Sequence, residues 1–282
     1  MNDEMIVRVM TRGEVDMALE WAAAEGWNPG RHDAESFHAL DPQGFFIGLI
    51  HGKPVGCISA VAYDEQFGFI GLYIVKPEYR DKGLGIQLFR AGMKYLGSRN
   101  IGLNAVLAQQ STFEKSGFKT ALRHVRFTAE GDGVDEETPD VVDLDSFPFA
   151  HAVAYDQAIF QAPRQRFLEH WLEPPNGTAL GIRENGRLAG YGVVRACRHG
   201  WKIGPLFADK PTLADQLFRA LRRHVPEATS LFIDAPDANP EALALAQRHG
   251  LTKVFETVRM YTKKSPPIPL AKVFGVTSLE LG

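Results

Sequence analysis

The chain has 282 residues, 45% of them hydrophobic, which is enough apolar material for two packed cores and more chain than one domain usually holds. A formal net charge of −3, with no cluster of lysines and arginines, argues against a nucleic-acid partner. Two cysteines, Cys57 and Cys197, make no disulfide framework, and no stretch approaches the ~20 apolar residues of a membrane span, so a soluble cytoplasmic protein with no membrane partner is expected.

In chain order, Met1-Asn2-Asp3-Glu4 is acidic and lacks an apolar signal core. Residues 14–25 place Val15 and Leu19 on one face and predict a helix, with Gly26 suited to its C-terminal stop. Strands are predicted over 45–50 and 55–62, with Asp64 and Glu65 in the connection to a third strand over 69–75. The turn Lys76-Pro77-Glu78-Tyr79 then leads into Arg80-Asp81-Lys82-Gly83-Leu84-Gly85 and a helix over 84–96. A strand over 103–108, a short helix near 112–116 and a strand through 125–127 complete the set, an order expected of a mixed α/β (α+β) sheet domain. Residues 130–147 are acidic and poor in apolar side chains, the composition of a linker.

The chain then repeats itself. Gln87-Leu88-Phe89-Arg90-Ala91 recurs as Gln216-Leu217-Phe218-Arg219-Ala220, and Gly52-Lys53-Pro54-Val55-Gly56 parallels Gly186-Arg187-Leu188-Ala189-Gly190 in the same order. Helices are predicted near 163–171, 211–224 and 240–249, the last marked by Asn239 as N-cap, Pro240 at its first position and Gly250 beyond its end. Two tandem copies of one domain result, over 1–129 and 148–265, followed by a tail over 266–282.

A glycine loop between a strand and a helix is an anion site. The first amides of the helix have no intrahelical partner, they lie at the positive end of the macrodipole, and glycine lets a diphosphate come close. The loop has neither dinucleotide nor P-loop spacing. The alternative is a tight turn with Arg80 and Lys82 as solvated charges.

Val75-x-Pro77-x-x-Arg80-x-x-Gly83-x-Gly85, with Phe113-Glu114-Lys115-Ser116-Gly117-Phe118 farther on, resembles the GNAT superfamily of acyl-CoA-dependent acetyltransferases. The resemblance implies two tandem GNAT-like domains and acetyl-CoA as co-substrate. Arg80, Asp81, Lys82, Gly83, Leu84 and Gly85 would grip its pyrophosphate, and the backbone of Tyr73, Ile74 and Val75 would bond its pantetheine arm. An amide near Ile74 or Val75 would polarise the thioester. The tyrosine that often meets the departing thiolate is replaced by Phe113, so either Tyr73 substitutes or the thiolate leaves unaided. The acceptor is expected to be a primary amine of a small molecule or peptide, with Asp64 or Glu65 as base, or else as plain hairpin charges, and Trp27 and Asn28 on the acceptor side. An acyl-CoA-binding regulatory module without turnover, and transfer of a longer acyl group, are the competing readings.

In the second copy Asp209-Lys210-Pro211-Thr212-Leu213-Ala214 falls against Arg80 to Gly85. An acid replaces the arginine and a proline removes a donor, so this copy is not expected to bind CoA. It would wall the acceptor cleft or form a contact in a homodimer. Tyr155, Asp156, Trp171, Tyr191 and Asp234 are its pocket candidates, each also readable as core, cap or turn. The scattered histidines predict no metal site.

Overall fold

The computed structural model describes residues 4–131 and 138–282. The first copy runs β1 (Ile6–Val9), α1 (Arg12–Ala24), α2 (Asp33–Leu40), β2 (Phe45–Ile50), β3 (Lys53–Ala62), β4 (Phe67–Val75), α3 (Leu84–Leu96), β5 (Asn100–Val106), α4 (Gln110–Lys115) and β6 (Lys119–Glu130). The second runs β7 (Val141–Asp143), α5 (Phe149–Phe160), α6 (Gln165–Trp171), β8 (Gly177–Glu184), β9 (Arg187–Ala196), β10 (Trp201–Ala208), α7 (Pro211–Arg222), β11 (Ser230–Pro236), α8 (Pro240–Arg248) and β12 (Thr252–Tyr261), with β13 (Val273–Gly275) beyond it. Among the described residues no helix is long and apolar enough to cross a membrane.

Local chemistry sets several boundaries. Thr11 and Glu14 form a reciprocal capping box that starts α1 two residues earlier than its apolar face suggests. Asn239 accepts from the Glu241 amide and Pro240 opens α8, as its sequence predicts.

The strands form one mixed sheet in the order β1-β2-β3-β4-β5-β12-β6-β11-β10-β9-β8-β7. The two copies have exchanged their last strands: β12 lies beside β5 of the first copy, and β6 lies beside β11 of the second. The sheet is therefore continuous through the β12–β6 pair, and neither copy has a free edge at the centre. A shared core reinforces this join, because Val15, Phe37 and Ile47 of the first copy belong to one buried cluster with Phe167, Trp171 and Tyr191 of the second. Separate clusters lie under α3 and under α7. Cys57 and Cys197 are buried and unpaired.

The segment expected as a linker is partly built into this architecture. Val141–Asp143 form the outermost strand against β8, and Leu144 and Phe147 are buried. Residues 132–137 lie outside the described residues.

Candidate active site

The parallel pairing of β4 with β5 covers only Phe67–Ile70 against Asn100–Leu103. Beyond that point β5 follows β12 while β4 follows β3, and the two strands separate. A bulge sharpens the divergence: Cys57 faces Ile74 but Ser59 faces Gly71, so one residue of β3 spans two of β4, and Leu72 takes φ +43°. On the side away from β3, the edge of β4 over residues 71–75 thus has no strand beside it among the described residues, which leaves its outward amides and carbonyls, the Val75 carbonyl apart, to whatever fills the groove. A cavity of about 450 Å³ occupies this opening.

At one end of the cavity stands the glycine loop. Gly83 precedes α3 with φ +72°, a left-handed conformation, and no side chain caps the first turn of the helix. A Cβ on Gly83 would meet nothing within 4 Å, so this residue faces open space. Gly85 is small for a different reason: its Cβ would fall 2.6 Å from the Tyr73 hydroxyl oxygen. Arg80 is exposed but tethered. Its Nε donates to the Val75 carbonyl at 2.8 Å, and its guanidinium pairs with Glu25 of the α1 C-terminus.

Tyr73, Ile74, Val75, Arg80, Asp81, Gly83, Leu84, Gly85 and Phe113 all line the cavity. Lys82 does not, because its ammonium donates to the Glu78 carbonyl at 2.7 Å and lies 5.4 Å above the Tyr79 ring. Phe113 packs edge-on to Tyr73 with ring centres 6.5 Å apart. Partial burial raises the Tyr73 hydroxyl above the usual phenol value, so it is a proton donor and not a base at neutral pH.

The opposite end is built by residues that are distant in sequence. Trp27, Gly71, Arg126 of β6, Thr257 of β12, Leu279 and Glu280 meet there. Arg126 is held by a two-bond pair to Asp234, at 2.7 and 2.8 Å, and donates a third bond to the Trp27 carbonyl at 2.8 Å. Asp234, expected to touch substrate, stands behind the wall and orients Arg126. Burial alone would raise its carboxyl, but the adjacent guanidinium outweighs that and holds it at about 2 against the usual 3.8. Because the folded value is depressed, this pair stabilises the protein above pH 3.8 and the contribution is lost as pH falls from there through about 2. Melting temperature followed from pH 5 to pH 2 is expected to fall less steeply in Asp234→Asn than in the unmodified chain, and parallel curves would exclude this pair as a source of acid sensitivity.

Several further sequence candidates lie outside the cavity lining. Asp64 closes its own hairpin by accepting from the Gln66 and Phe67 amides at 2.7 Å each, and Glu65 is exposed at the tip. Both belong to the entrance of β4, whereas the groove opens only after Ile70. Asn28 exchanges two 2.8 Å bonds with the His199 backbone and serves as a brace between the copies. Asp156 is buried in a pair with Arg164 and accepts from the Tyr191 hydroxyl. Tyr155 donates to the Ala189 carbonyl at 3.1 Å and to Asp209 at 3.0 Å. Trp171 donates to the Gly204 carbonyl at 3.0 Å from within the shared core. Among the described residues no group of three or more His, Cys, Asp or Glu could hold a metal ion.

Residues 15–118 match the model of the acetyltransferase (GNAT) family, and residues 152–275 match that of an acetyltransferase (GNAT) domain. Over 276 residues, 95% of this chain and 92% of the relative, the sequence is 30% identical to holothin acyltransferase from Pseudoalteromonas sp. (strain SANK 73390). This chain belongs to the GNAT acetyltransferase family. Its tandem GNAT fold is similar to that of a putative acetyltransferase from Pyrococcus horikoshii, with a TM-score of 0.83 at 24% identity over 100% of this chain and 97% of that one. It is also similar to a tandem GNAT protein from the clavulanic acid biosynthesis pathway, with a TM-score of 0.63 at 14% identity over 93% and 100% of the two chains.

The second GNAT lobe has lost its groove as well as its loop. Its β10 and β11 pair in parallel over Trp201–Ile203 and then separate as β4 and β5 do, but β13 pairs with β10 at Leu206 and Phe207 and fills the gap. In the loop, Asp209 accepts from Tyr155 and from Lys272 at 2.9 Å, and Pro211 opens α7.

Proposed function

We propose that the first GNAT lobe binds acetyl-CoA and transfers its acetyl group directly to a primary amine of a small molecule or peptide, with both substrates bound together. The observation that carries this reading is one cavity with uncapped helix amides at one end, an unpaired strand edge along its side and a buried carboxylate at the other end. The residues present fit an acyl-CoA. The amides of the first α3 turn with Gly83 and Gly85 suit a pyrophosphate. From Val75 back to Gly71 is about 13 Å of strand at ~3.3 Å per residue, an edge along which an extended arm can bond. When bound, the thioester supplies an electrophilic carbonyl and a thiol leaving group.

The chain's own contribution is to place and dehydrate the reactants, which supplies much of the acceleration in a direct attack. The Val75 amide, on the edge of β4 turned away from β3, is placed as donor to a carbonyl oxygen, and Tyr73 stands protonated beside Phe113 as the hydroxyl able to meet a departing sulfur. The second lobe supplies wall and support.

Release of free CoA from acetyl-CoA, followed across amino acids, polyamines, aminoglycosides and peptides, tests the reading. Release above hydrolysis with at least one class of amine is expected, and none with any class would sink it. Competition by longer acyl-CoAs decides the acyl group, a question raised by the relative named as an acyltransferase.

A further inference from the structure

The segment 266–282 is a strap that passes through both lobes. Val273–Gly275 enters the second lobe's groove as β13, and the Val276 amide donates to the Asp234 carbonyl at 2.8 Å. The Thr277 hydroxyl accepts from Arg164 at 2.9 Å, and Thr277 and Ser278 are buried. The strap then crosses into the working groove of the first lobe. There the Asn104 side chain donates to the Leu279 carbonyl at 2.8 Å, and the Tyr63 hydroxyl donates to that of Leu281 at 2.6 Å. Ser278 turns the chain by accepting the amides of Glu280 and Leu281 at 3.1 Å each. Gly71 makes room, since a Cβ there would lie 1.8 Å from the Glu280 carbonyl oxygen.

All this anchoring delivers one carboxylate. Glu280 is 4% exposed and lines the cavity, yet its Oε2 has no hydrogen-bond partner among the described residues. Thr257 Oγ1, 3% exposed and lining the same cavity, also has no partner among the described residues. An unpaired buried carboxylate oxygen is costly, and such a group is retained where a ligand satisfies it. The neighbouring cations do not satisfy it. Arg126 is paired with Asp234, Arg195 with Asp33 at 2.7 Å while its own Nη1 also has no partner among the described residues, and Lys202 donates to the Asn28 carbonyl at 2.7 Å, so none of the three hydrogen-bonds to Oε2. Apolar side chains of Trp27, Ile70, Leu103, Phe255 and Leu279 share the cavity lining with Glu280, beside the polar Asn104, Arg126 and Thr257.

We propose that Glu280 is the acceptor subsite of the first lobe: its carboxylate binds the ammonium of a primary amine carried on a compact apolar body, and takes one proton from it. This rests on the acyl-transfer reading. Oε2 accepts a proton from the ammonium, and the freed nitrogen lone pair forms the C–N bond to the acyl carbon. The C–S bond breaks with its electrons passing to sulfur, the second nitrogen proton neutralises that sulfur as the thiol, and Glu280 returns its proton to solvent.

Benzylamine and benzyl alcohol, similar in size and different in charge, are the probes, titrated calorimetrically into the full chain loaded with CoA. The unmodified chain is expected to bind the amine at least about tenfold more tightly than the alcohol, and Glu280→Gln to erase that preference while its Kd for CoA stays within about twofold. Acetyl transfer to benzylamine is expected to fall roughly 100-fold in Glu280→Gln and to recover in part in Glu280→Asp. The unchanged Kd for CoA shows that the variant is folded. Equal affinity for the two probes, no amine binding, or a preference that survives Glu280→Gln overturns the assignment. Failure of the unmodified chain to bind CoA overturns the acyl-CoA reading instead. The amine preference is then measured on the unloaded chain, where its loss in Glu280→Gln supports the subsite and its absence or survival overturns it.

Discussion

Replacing Gly83 with aspartate is expected to weaken CoA binding by at least ~100-fold, equivalent to about 2.7 kcal/mol, while leaving the fold intact. Gly83 sits at φ +72° with open space where a Cβ would project, so the new side chain clashes with nothing and sits at the start of α3. Its left-handed backbone costs a non-glycine residue roughly 1–2 kcal/mol, which aspartate partly recovers by local hydrogen bonding. The larger effect is electrostatic: a fixed carboxylate competes for the amides of the first α3 turn and repels a diphosphate there. Calorimetric titration with CoA, alongside a thermal melt, separates lost binding from lost folding. Thr212→Asp, in the matching turn of α7, is the control and is expected to change neither, because Asp209, Pro211 and β13 already close that loop and groove. Equal losses in the two variants would show that both lobes bind the carrier.

Truncating Asp156 to alanine is expected to cost about 3–5 kcal/mol of stability, because it strands a buried guanidinium. The side chains of Arg164 and Asp156 are 2% and 1% exposed, and the pair makes two parallel bonds. Burial would lower the Arg164 guanidinium, but Asp156 outweighs it and the value is raised. Tyr191 loses its acceptor in the same substitution, and Arg164 also holds Thr277 of the strap. A total stability in the usual range of roughly 5–15 kcal/mol makes this a large fraction. Urea unfolding should show a clear drop in midpoint, and a drop worth less than ~1 kcal/mol would mean that the pair is not buried in solution. The contrast with Asp64 is instructive, since that carboxylate only closes an exposed hairpin.

How much was legible follows from how local each signal is. The glycine loop could be read because its chemistry is contained in six consecutive residues: a left-handed glycine, a close-packed glycine and the start of a helix. The repeat was legible because duplicated sequence survives in the helices that follow each loop, α3 and α7. The base candidates lie away from the cavity lining for a geometric reason. Nearness in sequence to β4 placed Asp64 and Glu65 at the wrong end of the strand, before the point where β4 and β5 part. Tyr155, Asp156 and Tyr191 carry the right atoms for a pocket, but their partners across the second lobe use up those atoms.

By itself, then, the sequence determined a duplicated α/β domain and the lobe that carries the glycine loop, since both follow from short-range patterns of apolar period, glycine and charge. Tertiary structure alone decided the exchange of β6 and β12, the filling of the second groove by β13, and the meeting of Arg126, Thr257 and Glu280 in the first. These groups come from strands that pair across the join and from a strap that threads both lobes. Arg126 and Asp234 are separated by 108 residues, and contacts between backbone edges so far apart leave no periodicity in the chain to read.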